Sequence, residues 1–224
     1  MLRIKELFSN VELLCLVGGE PFLNPELPKY CILCRELFPE SKIRVITNGI
    51  LLHKCEESLK IMEENNIELL ITKYPIKIKL DMSNFPNLKY SFTPEMNYFT
   101  KKLTLTNDNN AKKAYRRCHE RICHYLENGK IYGCTLFGRV KKLNEVFETN
   151  YPDVGIDIYS IKDGHELNNM LENVFSYCSY CSKNYETVKW SCNEKPDLVN
   201  YIVTKPDSFV FKMKMKLKHL LRTN

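Results

Sequence analysis

The segment over 12–20 constrains the fold of this chain more than any other. Apolar residues over 12–17 predict a strand buried on both faces, and two adjacent glycines, Gly18 and Gly19, end it. Without side chains at these positions the main chain can approach a ligand closely, although a Gly-Gly pair is equally typical of an ordinary tight turn. Glu20 follows at the C-terminal end of the strand, the edge where α/β sheets bind their ligands. The segment therefore predicts an α/β fold with a candidate binding edge.

Alternating strand and helix patterns continue this segment through the first third of the chain. Asn24 as an N-cap and Pro25 at the first helical position mark the start of one helix. Apolar spacing predicts helices over 1–8, 25–38 and 51–64, and strands over 12–17, 43–47 and 67–72. This β-α-β-α-β order requires a parallel sheet. Between 73 and 110 the pattern predicts only one or two further short strands.

A polar cluster over 107–110 predicts a boundary, and the chain changes character beyond it. Asn128 and Gly129 fill the turn of a predicted hairpin, because both positions of a type I′ turn need positive φ. A helix is predicted over 165–174. We therefore expect a barrel-like unit over 1–106, a cysteine-rich unit over 107–195 and a basic tail over 196–224.

Composition narrows the class of protein. Ten cysteines in a chain with no secretory signal and no transmembrane segment predict a cytoplasmic protein whose thiols are reduced and in part bind metal. The net charge of +6 is too small to indicate nucleic acid as a partner. Much of the excess lies in the tail, which we expect to be solvated, with an anionic partner or membrane as the alternative.

Nine of the ten cysteines fall into two groups, and Cys192, which follows an aromatic-rich loop, is not counted among the candidate ligands. Cys15, Cys31, Cys34 and Cys55 occupy apolar strand or helix positions, where a thiol behaves as a small hydrophobic side chain, and we expect them in the core. Thiolates at loop ends can instead converge on one metal centre, which would be an iron–sulfur cluster or a zinc ion. Zinc would also suit His119 and His124, which lie beside the loop cysteines in the sequence. Five cysteines lie at loops and hairpin ends, outside any core periodicity: Cys118, Cys123, Cys134, Cys178 and Cys181.

Two motifs in the first third of the chain resemble the middle of the radical S-adenosylmethionine (radical SAM) enzymes. The first is Gly18-Gly19-Glu20-Pro21, and the second is the Thr-Asn-Gly turn that includes Asn48. The resemblance implies a (β/α) barrel whose strand-end motif contacts the amino group of the methionine moiety of S-adenosyl-L-methionine. The residues that it implies for cofactor binding are Gly18, Gly19, Glu20, Pro21 and Asn48.

The second group of cysteines resembles the SPASM or twitch-type extension that follows the barrel in many of these enzymes. Cys118 and Cys134 lie on either side of the hairpin turn at Gly129, at the spacing that such an extension shows. A distant pair follows at Cys178 and Cys181. Such an extension usually binds an auxiliary [4Fe-4S] cluster. The resemblance implies four ligands from five candidates and leaves open whether Cys118 or Cys123 is one of them.

One departure from the family limits what the resemblance implies. The Cys-x3-Cys-x2-Cys triplet, whose thiolates hold the cluster that cleaves the cofactor, does not occur in the sequence. We therefore expect an incomplete (β/α) barrel with parallel strands, truncated at its N-terminus, followed by a small Cys-rich α+β extension. Its first strand would have lost a neighbour and would leave an apolar edge. No turnover is expected from the chain as it stands.

Two function classes follow from these expectations. The leading hypothesis is an iron–sulfur protein of the radical SAM class, which in its complete form modifies a peptide or a small molecule. It would then need an electron donor such as a flavodoxin or ferredoxin. The alternative is a non-catalytic metal-binding module, with zinc or an iron–sulfur cluster, that serves structure or partner binding.

Overall fold

The computed structural model describes residues 1–192 and 195–204. The chain divides into two compact units, one over Met1–Asn97 and the other from Tyr98 onward. In the part that is described, no helix is both long enough and apolar enough to cross a bilayer. Most of the tail predicted over 196–224, including its basic run over 212–219, lies outside the described residues.

The first unit is built on a four-stranded parallel sheet. Leu14 pairs with Ile43, and Val45 pairs with Leu69, in the parallel register. The parallel β-α-β-α-β arrangement is thus confirmed. The strands lie in chain order across the sheet: β1 (Leu13–Leu16), β2 (Lys42–Thr47), β3 (Glu68–Ile71) and β4 (Tyr90–Phe92).

The helices of this unit begin later than the sequence predicts. Asn24 Oδ1 accepts a hydrogen bond from Glu26 N at 3.0 Å, as the predicted N-cap would, but Pro25 and Glu26 form a turn and the regular helix begins only at Leu27. Likewise, a 3₁₀ turn over Leu52–Lys54 precedes the third helix and shortens the helix predicted over 51–64. The observed helices are α1 (Leu2–Leu7), α2 (Leu27–Leu37) and α3 (Glu56–Glu64).

One face of the sheet carries the core of the first unit. Alternate residues of β2 and β3 are buried on this face, and on the other face Arg44 and Glu68 form an ion pair at 2.9 Å. The core role predicted for Cys31 and Cys34 is confirmed, and Cys55 packs half-buried at the margin. The buried face of the sheet and the helices over it meet through Ile43, Val45, Leu69, Ile71, Cys31, Cys34, Leu59 and Met62.

Strand β1 is more exposed than expected. Leu13 is 44% exposed, and Cys15 is exposed as well. The predictions that this strand is buried on both faces and that Cys15 belongs to the core are therefore wrong. The reason is that Leu13 and Cys15 lie on the face of the sheet that carries Arg44, opposite the core, and that β1 has β2 as a neighbour on one side alone. The expected apolar edge is present, and Val17 extends it.

The second unit contains two small antiparallel sheets. The predicted hairpin is confirmed, with φ of 48° at Asn128 and 77° at Gly129, as a type I′ turn requires. Strand β5 (Tyr98–Leu103) pairs with β9 (Cys181–Lys189), and a second sheet contains β6 (Tyr125–Glu127), β7 (Lys130–Tyr132) and β8 (Ile156–Asp157). The α-helices are α4 (Ala111–Arg117), α5 (Thr135–Gly138), α6 (Val140–Phe147) and α7 (Gly164–Leu171). The last of them confirms the helix predicted over 165–174, although it ends earlier.

The division between the units comes before the predicted boundary at residue 106. Strand β5 pairs with β9 along its length, so the second unit already begins at Tyr98. The polar cluster over 107–110 instead leads into α4, where Asn110 Oδ1 accepts a hydrogen bond from Lys113 N at 2.9 Å. β4 and β5 are the two further strands expected between 73 and 110, but they belong to different units.

Candidate cofactor sites

Glu20 joins the C-terminal ends of β1 and β2 at one edge of the parallel sheet. Its Oε1 accepts hydrogen bonds from Thr47 Oγ1 at 2.6 Å and from Phe22 N at 3.2 Å. Its Oε2 accepts a hydrogen bond from Asn48 N at 2.8 Å. Because both carboxylate oxygens bind groups of the protein, Glu20 holds the loop after β1 against the end of β2.

The backbone at Gly18 and Gly19 is the open part of this edge. Both residues are exposed, and a Cβ atom at either would meet nothing within 4 Å. Gly49 differs, since its φ is +80° and a Cβ atom there would lie 3.1 Å from Ile71 and from Ile78. The first two glycines therefore leave main-chain polar groups accessible, whereas Gly49 is required by the shape of the turn.

The predicted cofactor-binding residues lie together at this edge, with unequal access. Gly18 and Gly19 are exposed, while Pro21 is buried and begins a 3₁₀ turn. The side chain of Asn48 is half-buried and accepts a hydrogen bond from Ile50 N at 2.9 Å. The edge leaves the main chain at Gly18 and Gly19 exposed, while the carboxylate of Glu20 fixes the loop around it.

In the second unit, four of the five predicted metal ligands line one pocket. They lie at the end of α4, before α5, in the 3₁₀ turn over Ser176–Tyr180 and at the start of β9. Cys123 is exposed and is not among the residues that line the pocket, and neither are His119 and His124. The four thiols in the pocket are those of Cys118, Cys134, Cys178 and Cys181.

Burial favours the neutral thiol in this pocket. It raises the pKa of Cys134 to about 11, against a partial lowering by the amide of Phe137. Burial also raises the pKa of Cys178 and of Cys181. A negative charge on Cys118 would raise the pKa of each of these three thiols further. The four side chains are therefore close enough to interact electrostatically. A bound metal would therefore have to displace protons, and the resulting negative charge would need compensation.

Two cationic side chains line the same pocket and can supply that compensation. Lys102 and Arg121 are both lining residues, and Lys102 Nζ lies 2.7 Å from Glu120 Oε1. Burial alone would lower the pKa of Lys102, but the hydrogen bond to Glu120 raises it overall, so the ammonium stays charged. Thr135 Oγ1 donates a hydrogen bond to Glu120 Oε2 at 2.9 Å and fixes this carboxylate from the other side. The lysine is thus held in place beside the thiols.

An aromatic wall closes another side of the pocket. Tyr177 is 3% exposed, and its ring lies against Phe175 and Phe137. Its hydroxyl group is the buried side-chain polar atom without a hydrogen-bond partner in the described part of the chain. Gly133 lies directly beside this hydroxyl group, since a Cβ atom there would come within 2.5 Å of it. The pocket therefore contains a polar group that the fold leaves unsatisfied.

Over residues 1–192 and 195–204, no group of three or more His, Cys, Asp or Glu side chains is arranged to hold a metal ion. The four thiols share a pocket without a preformed single-ion site. A bound group would either draw the thiols together or span the distances between them.

Several residues of these sites were not predicted. Thr47 is the first residue of the Thr-Asn-Gly turn in the second motif, which was the signal for it, and Tyr177 immediately precedes the predicted ligand Cys178. Nothing in the sequence indicated that Lys102 and Arg121 would lie in the cysteine pocket. Lys102 is placed there by the pairing of β5 with β9, and Arg121 by the 3₁₀ turn after α4.

Comparisons with known proteins add a distant likeness of fold. No family model matches the sequence, and no curated protein matches it. A crystal structure of selenomethionine BtrN in an open conformation is 17% identical, with a TM-score of 0.39, over 75% of this chain and 71% of that one. BtrN in complex with AdoMet and 2-DOIA is 14% identical, with a TM-score of 0.40, over 75% and 72%. Similarity at this level concerns the arrangement of elements, and no residue of this chain is assigned from it.

Proposed function

We propose that this chain is an iron–sulfur protein of the radical SAM class, and that its second unit binds a [4Fe-4S] cluster. The observation that carries the proposal is the convergence of Cys118, Cys134, Cys178 and Cys181 on one pocket. Four cysteine thiolates are the usual ligand set of such a cluster, and the group supplies one-electron transfer when it is bound. The same observation favours Cys118 over Cys123 as the fourth ligand.

The charges around the pocket support this ligand set. Four thiolates and a cluster carry net negative charge, which is costly in a buried site unless cations lie close by. Lys102 and Arg121 line the pocket, and Glu120 holds Lys102 in position. The two cations would therefore offset part of the charge of a bound anionic group, although burial favours the neutral thiols in the metal-free pocket.

The edge after β1 is the proposed binding site for S-adenosyl-L-methionine. Exposed main-chain groups at Gly18 and Gly19 would contact the ammonium group of the methionine moiety, and Glu20 would position them through Thr47 and Asn48. A peptide or small molecule as substrate, and a flavodoxin or ferredoxin as electron donor, belong to the complete form of such an enzyme. For the chain as given, we propose cofactor binding without turnover, because its sequence has no Cys-x3-Cys-x2-Cys triplet.

Anaerobic reconstitution with ferrous iron and sulfide tests the cluster proposal. We expect about four irons per chain and a broad visible absorption in the wild type. Cys118→Ser and Cys123→Ser form a matched pair, since both remove one thiol from the same basic segment. We expect Cys118→Ser to lose most of the bound iron and Cys123→Ser to retain it.

The same preparation separates the two function classes. One zinc ion per chain and no colour would replace the proposal by a non-catalytic metal-binding module. No metal of either kind would refute both. For the first unit, calorimetric titration with S-adenosyl-L-methionine is the direct measurement, and an absence of heat at millimolar ligand would remove that part of the proposal.

A further inference from the structure

Tyr177 is held rigidly at the wall of the cysteine pocket. It lies in the 3₁₀ turn over Ser176–Tyr180, one residue before Cys178. Its ring stacks on Phe175, with centroids 4.7 Å apart and an interplanar angle of 15°. On the other side it contacts Phe137, with centroids 4.3 Å apart. A ring packed against two others cannot turn its hydroxyl group toward solvent.

The hydroxyl group of Tyr177 is buried and has no hydrogen-bond partner within the described residues. Burial raises the pKa of this tyrosine, and the nearby amide of Gly133 lowers it in part. That amide is itself a donor, so it cannot accept the hydroxyl proton. A buried donor without an acceptor is costly and is rare in folded proteins, which calls for an explanation in the function of the site.

The sulfur atoms that line the same pocket are candidate acceptors, and Cys134 directly follows Gly133, where an added Cβ atom would lie 2.5 Å from the hydroxyl oxygen. Negative charge on Cys134, Cys178 or Cys181 would raise the pKa of Tyr177, with Cys134 giving the largest of the three effects. A neutral thiol is a weak acceptor, whereas a thiolate bound to metal is a stronger one. The hydroxyl group would therefore gain a strong acceptor when one of these sulfur atoms binds metal.

We propose that Tyr177 donates a hydrogen bond to the sulfur of Cys134 in the loaded site and thereby sets the reduction potential of the bound group. The inference rests on the proposed function, since it requires an iron–sulfur cluster in the pocket. A hydrogen bond to a ligating sulfur withdraws negative charge and favours the reduced form. Tyr177 is thus a positioning and tuning residue of the second unit.

The test compares Tyr177→Phe with Tyr151→Phe in metal-free and loaded protein. Tyr151 is a matched control because it also contacts Phe137 and is buried, but its hydroxyl group donates a hydrogen bond to Thr104 O at 3.1 Å. We expect Tyr177→Phe to leave iron content unchanged and to shift the midpoint potential to a more negative value. In D2O, the deuterium-sensitive Fe–S bands of the wild type should disappear in this variant.

Thermal unfolding gives a readout that does not depend on electron transfer. In metal-free protein, Tyr177→Phe should raise the melting temperature, because it removes a buried donor without a partner. The rise in melting temperature on loading should be smaller in the variant than in the wild type. Tyr151→Phe should lower the melting temperature in both forms and leave the potential unchanged.

The outcomes distinguish this inference from the proposed function. If the wild type binds no iron, the proposed function fails, and the Tyr177 proposal falls with it before any variant is compared. If the wild type loads normally but Tyr177→Phe has the same potential and the same gain in stability on loading, only the Tyr177 proposal is overturned.

Discussion

The chain contains two Cys-x2-Cys pairs, and the fold uses them in opposite ways. Cys31 and Cys34 lie on one side of α2 and are fully buried among aliphatic residues. Cys178 and Cys181 lie in a 3₁₀ turn and at the start of β9, where they line a pocket. Equal spacing in the sequence therefore gives core packing in one unit and a candidate ligand pair in the other.

The surroundings of the two pairs explain the difference. In a helix, positions three apart share a face, so both thiols of the first pair pack into the core together. The second pair lies near Lys102 and Arg121 and beside the unsatisfied hydroxyl group of Tyr177. A cation and a buried donor without an acceptor are costly in an aliphatic core, so these groups distinguish the pocket from the core of the first unit.

The largest expected effect is a loss of bound iron when the second Cys-x2-Cys pair is removed, but not when the first is. Cys178→Ala combined with Cys181→Ala should abolish iron binding after anaerobic reconstitution, because it removes two of the four proposed ligands. Cys31→Ala combined with Cys34→Ala should retain full iron content but lower the free energy of unfolding by about 2–4 kcal/mol, since it leaves cavities in the core. Iron analysis and urea unfolding measure the two effects. Equal iron loss in both double variants would contradict the distinction.

The second effect is a loss of stability at alkaline pH in metal-free, reduced protein. Burial raises the pKa of Cys31 to about 12 and that of Cys134 to about 11, from a value of 9.0. As pH rises above about 9, the unfolded chain releases these protons while the folded chain keeps them, so the free energy of unfolding falls. Each such thiol contributes at most about 1.4 kcal/mol per pH unit. Urea unfolding between about pH 8 and pH 10 measures the slope.

The pH dependence of unfolding should differ between iron-loaded and metal-free protein. The pocket thiols are already ionised when they ligate metal, so loaded protein should lose the share of the slope that Cys134, Cys178 and Cys181 contribute. The share of Cys31 should remain, and the double variant of the first pair should remove it. A slope that is identical in loaded and metal-free protein would show that the pocket thiols are not the ligands.

The third effect tests whether the edge of the sheet depends on the Glu20 carboxylate. Glu20→Gln replaces one carboxylate oxygen, which accepts hydrogen bonds, by an NH2 group, which donates them. Asn48 N, Thr47 Oγ1 and Phe22 N are all donors to Glu20, so at least one of them would then face another donor. We expect the free energy of unfolding to fall by about 2–3 kcal/mol, as for buried hydrogen bonds to a charged group. The matched control is Glu26→Gln, which breaks only an exposed pair with Lys29 and should change stability by less than about 0.5 kcal/mol.

Local patterns predicted much of the fold. The periodicity of the first unit predicted its parallel strands and core thiols, and Asn128-Gly129 predicted a hairpin turn that the backbone angles confirm. The exposure of Cys15 could not be predicted in the same way, because it depends on which face of the sheet the helices cover. An apolar run predicts burial on both faces, and nothing in it shows that one face lacks a covering layer.

The composition of the cysteine pocket was only partly accessible from the sequence. The five loop cysteines were found by their lack of core periodicity, but the choice between Cys118 and Cys123 needed the tertiary structure. α4 ends at Arg117, so Cys118 directs its side chain into the pocket, while Cys123 follows a further 3₁₀ turn and is exposed. The orphan hydroxyl group of Tyr177 likewise depends on ring packing that no short motif encodes.

The smallest expected effect on stability comes from the open glycines. Gly19→Ala should change the free energy of unfolding by less than about 0.5 kcal/mol, because a Cβ atom there meets nothing within 4 Å. Gly49→Ala, the matched control, should cost about 1–2 kcal/mol, because it forces alanine to a φ of +80° against Ile71 and Ile78. If the edge binds S-adenosyl-L-methionine through its main chain, Gly19→Ala should still weaken binding several-fold in calorimetry, since the methyl group stands where the ligand would approach. A variant with unchanged stability and unchanged affinity would mean that the edge after β1 is an ordinary turn, and that the chemistry of this chain lies in the cysteine pocket alone.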